Sequence, residues 1–469
     1  MKITPTAIEK EQLELYGIPA LRNDSIVSRI KDEWTLAQVK APQKNVIADY
    51  GTFKDSLKAP IHRWFKYPAG YSYRLVDAKI KQYKLTEQHW LFDPFVGSGT
   101  TSIEAKRNRV NSVGIEAHPF VYWISKCKMN WDINLNEVSK IYLSIINVTE
   151  DKYRKTVTSK LPELVHKCYS EKNLRKLLSI RNAIENLSVP ASVRDFYLLA
   201  LVDTLRNASK AATGWPYIAP NKIHEKAEEK EAFEEYGYQV RRMYDDIHFF
   251  QNYYNYKDIK SILIKGDSRK RHERIEDESM DLALTSPPYL NNYDYADRTR
   301  LETYFLGWYR NWGEISDEVR EKLITSATTQ IRRGGYTTNY GLKDTIRNAD
   351  SKLYNELFEK VSLLRNLRNT KGGKKSYDCL VAGYFSDMFD VICQTYRVLR
   401  KGSDFVLVLG DSAPYGIYIP THEYLGRMGI SIGFKKMAFE ELRTRGDKWK
   451  GNPQRHKVKL KEVILTLSK

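Results

Sequence analysis

Residues 89–120, HWLFDPFVGSGTTSIEAKRNRVNSVGIEAHPF, carry most of the information about how this chain folds. An apolar run at 90–92 ends in Asp93, and a loop with Gly97 and Gly99 opens a helix at about Thr100. Glycines permit a tight turn and let backbone amides come close to a ligand, and the helix N-terminus adds partial positive charge. Beyond the helix, 113–115 reads as a second strand ending at Glu116. A carboxylate there, about 20 residues past a glycine loop, is how α/β folds hold a ribose diol. The loop lacks the third glycine of G-x-G-x-x-G, and no Gly-Lys-Ser/Thr follows it, so it is neither a dinucleotide fingerprint nor a P-loop. Asp93 at its head suits a ligand bearing an ammonium group. The expected architecture is α/β, with ligands at the carboxyl edge of the sheet.

A second stretch, LTSPPYLNNYDY at 284–295, follows the strand-like MDLALT at 280–285. Two consecutive prolines fix φ and have no N–H, so their carbonyls are held rigidly. Ser286, Pro287, Pro288 and Tyr289 can together hold a flat, amine-bearing ring, by hydrogen bonds to the amine and stacking from the tyrosine. Taken alone, the same residues are equally a Pro-Pro turn with a surface tyrosine. Another short strand at 262–267 ends in Gly-Asp, and Asp267 could accept from the exocyclic amine of a bound purine. A turn aspartate is the ordinary alternative.

The 469 residues carry a net charge of +18, with a pI near 9.4, which points to a polyanionic partner, usually nucleic acid. Basic candidates for that contact are Arg332 and Arg333, and the segment RTRGDKWKGNPQRHK at 443–457, with Arg443, Arg445, Lys448 and Lys450. Four scattered cysteines without a CxxC pair suit a reducing cytosol and argue against a disulfide framework or a cysteine zinc site. No metal is expected. No apolar run reaches the roughly 20 residues of a membrane span, and the N-terminal segment lacks a signal-peptide core, so a cytoplasmic protein without membrane contact is expected. The helical pattern of 119–261 reads as a large insertion, either scaffold or target recognition. Residues 311–376 read as a second insertion that could contact a nucleic acid. The α/β unit that carries the motifs is then 59–118 with 262–310 and 377–469, preceded by an arm at 1–58.

The chain resembles the amino-group DNA methyltransferases, which modify cytosine N4 or adenine N6. DPFVGSGTT at 93–101 looks like their cofactor motif, and TSPPY at 285–289 like their catalytic motif. The resemblance implies a Rossmann-like seven-stranded sheet flanked by helices, S-adenosylmethionine as donor and a target base flipped out of double-stranded DNA. By position it implies Asp93, Phe95, Gly97 and Gly99, with Pro94 and Thr100 in the same loop, around the methionine part. It further implies Glu116 on the ribose and Asp267 near the adenine. The loop at 62–69, with His62 and Tyr67, is similar to the motif that completes the methionine pocket. Ser rather than Asp before Pro-Pro-Tyr favours cytosine N4 over adenine N6. None of the cysteines follows a proline, which disfavours carbon-5 methylation. The implied setting is restriction–modification, with a cognate endonuclease acting independently. An RNA amino-group methyltransferase and a non-catalytic nucleic-acid-binding protein of this fold are the alternatives.

Overall fold

A computed structural model of the chain describes residues 50–67, 70–212, 218–223, 229–331, 341–372, 374–445 and 459–469. Seven strands make the central sheet: β1 (Trp90–Asp93), β2 (Asn111–Glu116), β3 (Ser261–Lys265), β4 (Met280–Thr285), β5 (Leu399–Gly410), β6 (Lys436–Arg445) and β7 (Leu460–Ser468). Their order is β3-β2-β1-β4-β5-β7-β6. The first five run parallel, and β7 lies antiparallel to both β5 and β6. This is the seven-stranded α/β sheet expected from the sequence. Strand order reverses between β1 and β4, and the crevice outside that reversal is where such sheets bind ligands. The glycine loop follows β1 and the Ser-Pro-Pro-Tyr loop follows β4, so both open into it.

Alternation along the strands divides the apolar residues between two faces. Leu282, Leu284, Val406 and Val408 pack with Leu75 and Ile80 of helix α1 (Tyr73–Gln82). Phe92, Ala283, Phe405 and Leu407 face a second core, built from helices that follow the catalytic loop in sequence. Helix α2 (Thr100–Arg107) starts at the glycine loop, and α3 (Pro119–Met129) follows β2. Four longer helices come next: α4 (Leu135–Lys152), α5 (Glu171–Glu185), α6 (Ala191–Asn207) and α7 (Ala232–Tyr253). They share one continuous core with Trp64, Phe65, Phe120 and Phe305, so the expected helical insertion is packed into the catalytic unit. Helices α8 (Ser351–Leu367), α9 (Tyr377–Val398) and α10 (Thr421–Ile432) complete the other side.

Several boundaries differ from expectation. Within 311–376, α8 puts Leu353, Leu357, Val361 and Leu364 into the second core and packs against α9. Residues 295–305 form two short helices, Tyr295–Arg298 and Arg300–Phe305, broken at Thr299. Strand β6 runs on to Arg445, so Arg443 and Arg445, candidates for nucleic-acid contact, belong to the sheet. The other such candidates, Arg332, Arg333, Lys448 and Lys450, lie outside the described residues.

Candidate active site

Gly97 and Gly99 have φ of +54° and +97°, left-handed values that turn β1 sharply into α2. Val96 N–H donates to the Ile115 carbonyl at 3.0 Å, tying the loop to β2. Glu116 lies where β2 ends. Its Oε2 accepts from Gly97 N–H at 3.0 Å and its Oε1 from His118 N–H at 2.8 Å. Burial pushes its carboxyl up to about 7, although both backbone bonds pull the other way. One cleft wall carries Tyr67, Phe95, Gly97, Thr100 and Glu116, and Asp267 closes one end. Burial would raise Asp267, but two bonds from the Arg269 guanidinium, each 2.9 Å, hold it below its ordinary value. Ser286 and Pro288 reach the same cleft from β4. Leu323 and Ile324 also line it, an apolar pair the sequence reading did not single out.

Other expected residues stand behind this wall. Asp93 is 1% exposed. Its Oδ1 accepts from the Thr285 hydroxyl at 2.6 Å and Phe95 N–H at 2.9 Å, and its Oδ2 from the Thr101 hydroxyl. Burial pushes it up to about 6. It therefore braces β1, β4 and α2 where strand order reverses, and it fixes the residue before Ser286. His62 is buried, pairs with Glu104 of α2 at 2.9 Å and stacks on Tyr73, and it does not line the cleft. Gly99 caps α2, and the Pro94 carbonyl accepts from the Ser268 hydroxyl.

The loop supplying Tyr67 is held from three directions. Asp246 on α7 accepts from Ile61 N–H at 2.9 Å, Arg63 Nε at 3.1 Å and Trp64 Nε1 at 2.8 Å. Lys128 on α3 donates to the His62 carbonyl at 2.9 Å, and burial lowers its ammonium to about 7. Arg298 donates to the Lys66 carbonyl at 2.6 Å. None of these braces carries a local sequence signal.

In the catalytic-type loop, Ser286 Oγ donates to the Val408 carbonyl at 3.4 Å. Tyr289 is 9% exposed, and its hydroxyl donates to Glu462 Oε1 at 3.0 Å. Arg443, expected at a nucleic-acid surface, donates instead to Glu462 Oε2 at 2.5 Å. Among the described residues, no group of three or more His, Cys, Asp and Glu is placed to hold a metal ion, and no helix is long and apolar enough to cross a membrane.

A buried carboxylate, Glu116, and the Ser-Pro-Pro-Tyr loop thus meet in one cleft at the strand-order reversal of an α/β sheet. Residues 9–159 match the family model described as DNA methylase. The chain is also similar over most of its length to three type II methyltransferases. M.BsoBI of Geobacillus stearothermophilus is 25% identical over 87% of this chain and 84% of its own. M.AvaI of Anabaena variabilis is 23% identical over 92% and 90%, and M.MvaI of Kocuria varians 25% over 79% and 81%. These likenesses are to DNA methyltransferases, enzymes that use a methyl donor.

Proposed function

We propose that this chain methylates the exocyclic amine of a base flipped from double-stranded DNA, cytosine N4 in preference to adenine N6, with S-adenosylmethionine as donor. The observation that carries the reading is that Ser286 and Pro288 share one cleft with Gly97 and Glu116. S-adenosylmethionine bound there supplies a methyl group activated by its sulfonium centre. The residues present fit it: Glu116 offers carboxylate oxygens for the ribose hydroxyls, Tyr67 and Phe95 offer aromatic walls, and Asp267, kept ionised by Arg269, accepts from the adenine amine.

An aromatic amine is a poor nucleophile because its lone pair is delocalised into the ring. The Ser286 O–H is directed at the Val408 carbonyl, so its lone pairs remain for one N–H of the base. The Pro287 carbonyl takes the other. Holding both N–H groups favours a pyramidal nitrogen with its lone pair free, a gain of positioning and preorganised dipoles. Serine before Pro-Pro-Tyr supports cytosine as the base. The names of the relatives support a type II restriction–modification setting, with the endonuclease acting independently, and the +18 charge suits a polyanionic substrate.

Transfer of tritiated methyl from S-adenosylmethionine to duplex DNA, with digestion to identify the modified base, tests the reading. N4-methylcytosine is expected, and Ser286→Ala lowers turnover by about 100-fold or more. N6-methyladenine would correct the base, and methylation of tRNA but not DNA would overturn the substrate.

A further inference from the structure

The carboxylate of Glu462 stands apart from the cofactor cleft yet touches the catalytic loop. It lies on β7, opposite Gly410 of β5 on one side and Arg443 of β6 on the other, and is 2% exposed. Its two oxygens accept from the Tyr289 hydroxyl at 3.0 Å and from Arg443 Nε at 2.5 Å. The β6–β7 register shifts between Glu441 and Arg443, leaving Leu442 as an extra residue. Such a bulge re-aims neighbouring side chains. Here it accompanies a buried Leu442 and an Arg443 set against Glu462. Gly51 covers the same carboxylate, since a Cβ at that position would collide with it. A buried carboxylate is costly without such partners. Stacking on a base needs only an aromatic ring, so the hydroxyl of Tyr289 has a separate use.

We propose that Glu462 is a positioning residue for methyl transfer, fixing the Tyr289 ring by its hydroxyl while Arg443 steadies the carboxylate. The inference rests on the assignment of the 286–289 loop to the base amine. An anchored Tyr289 sets the direction of the adjoining proline carbonyls, and small misplacements of such groups are expensive in rate.

The test is a double-mutant cycle in the full chain, reading turnover on duplex DNA, KM for DNA and S-adenosylmethionine affinity. Glu462→Gln keeps the size but cannot accept from both of its donors. Glu462→Gln and Tyr289→Phe should each lower kcat by about 10- to 100-fold, with cofactor affinity and KM within about twofold of wild type. The double variant should be no slower than Tyr289→Phe alone. Arg443→Lys should keep most of the rate that Arg443→Ala loses. Wild-type turnover in either single variant, or fully additive losses in the double, overturns the inference. Absence of DNA methylation by the wild-type chain overturns the function assigned above, and this inference with it. Should Glu462→Gln fail to fold, Tyr289→Phe decides alone, by whether kcat falls at unchanged cofactor affinity.

Discussion

Glu116 and Asp93 set the pH behaviour of the cleft. Burial raises them to about 7 and about 6, so each binds its proton more tightly in the folded chain than in the unfolded one. Their contribution to stability is fully present below the ordinary carboxylate range and is lost as pH rises through 6 to 7. Apoprotein carrying Glu116→Gln should therefore be more stable than wild type near pH 8, by about 1–3 kcal/mol, and the two should converge near pH 5. On the proposed function, cofactor affinity should run in the opposite sense, because ribose hydroxyls would use the ionised carboxylate as acceptor. Wild-type affinity should fall as pH drops below about 7, while Glu116→Gln binds weakly and without that pH dependence. Denaturant melts and calorimetric titrations with S-adenosylmethionine across this range check both slopes, and a Glu116→Gln apoprotein less stable near pH 8 would contradict the first.

Among the elements, the loop that ends at Tyr67 depends most on distant parts of the fold. Asp246→Ala leaves the Ile61 N–H, the Trp64 indole and the Arg63 guanidinium without this acceptor. It should cost about 3–5 kcal/mol, the range for breaking a buried ion pair, and should weaken S-adenosylmethionine binding although Asp246 lies off the cleft wall. Melting and cofactor titration of the same preparation check the pair, and unchanged cofactor affinity would separate this loop from the site. Such braces could not be read from sequence because their partners are far apart along the chain, 185 residues in the case of Ile61 and Asp246. The strand–loop–helix–strand unit around Gly97, and the strand before Ser286, were legible because each is a local pattern closed by its own turn residues. A motif match at 62–69 does not carry the direction of each side chain: Tyr67 reaches the cleft while His62 turns to Glu104. The end of strand β6 is hard to read from sequence because past Glu440 only Leu442 is apolar among Glu441, Arg443 and Thr444. Helix α10 escaped notice because it contains Gly426 and Gly429, poor helix formers. They are there to fit: a Cβ on Gly429 would meet Leu467 of β7, and one on Gly426 would meet Met437 of β6.

At the scale of the molecule, the helical layer shares one core with the 61–67 loop, with α3 and with the short helix at 300–305, around Trp64, Phe120, Phe250 and Phe305. The layer therefore acts at least as scaffold for the cofactor side, whatever part of it also meets DNA. Removing α4 to α7 should abolish cofactor binding along with DNA methylation. The Asp246 brace also has a consequence during synthesis. A ribosome delivers the whole cofactor motif, 93–116, long before it delivers the carboxylate that shapes the loop over it. Nascent chains halted before residue 246 should emerge with the motif complete but fail to retain S-adenosylmethionine, and chains halted well beyond it should gain that capacity. The Tyr289 anchor arrives later still, 173 residues after the tyrosine itself. On the proposed function, a growing chain should acquire its donor site first and its methylation site only near the end of translation.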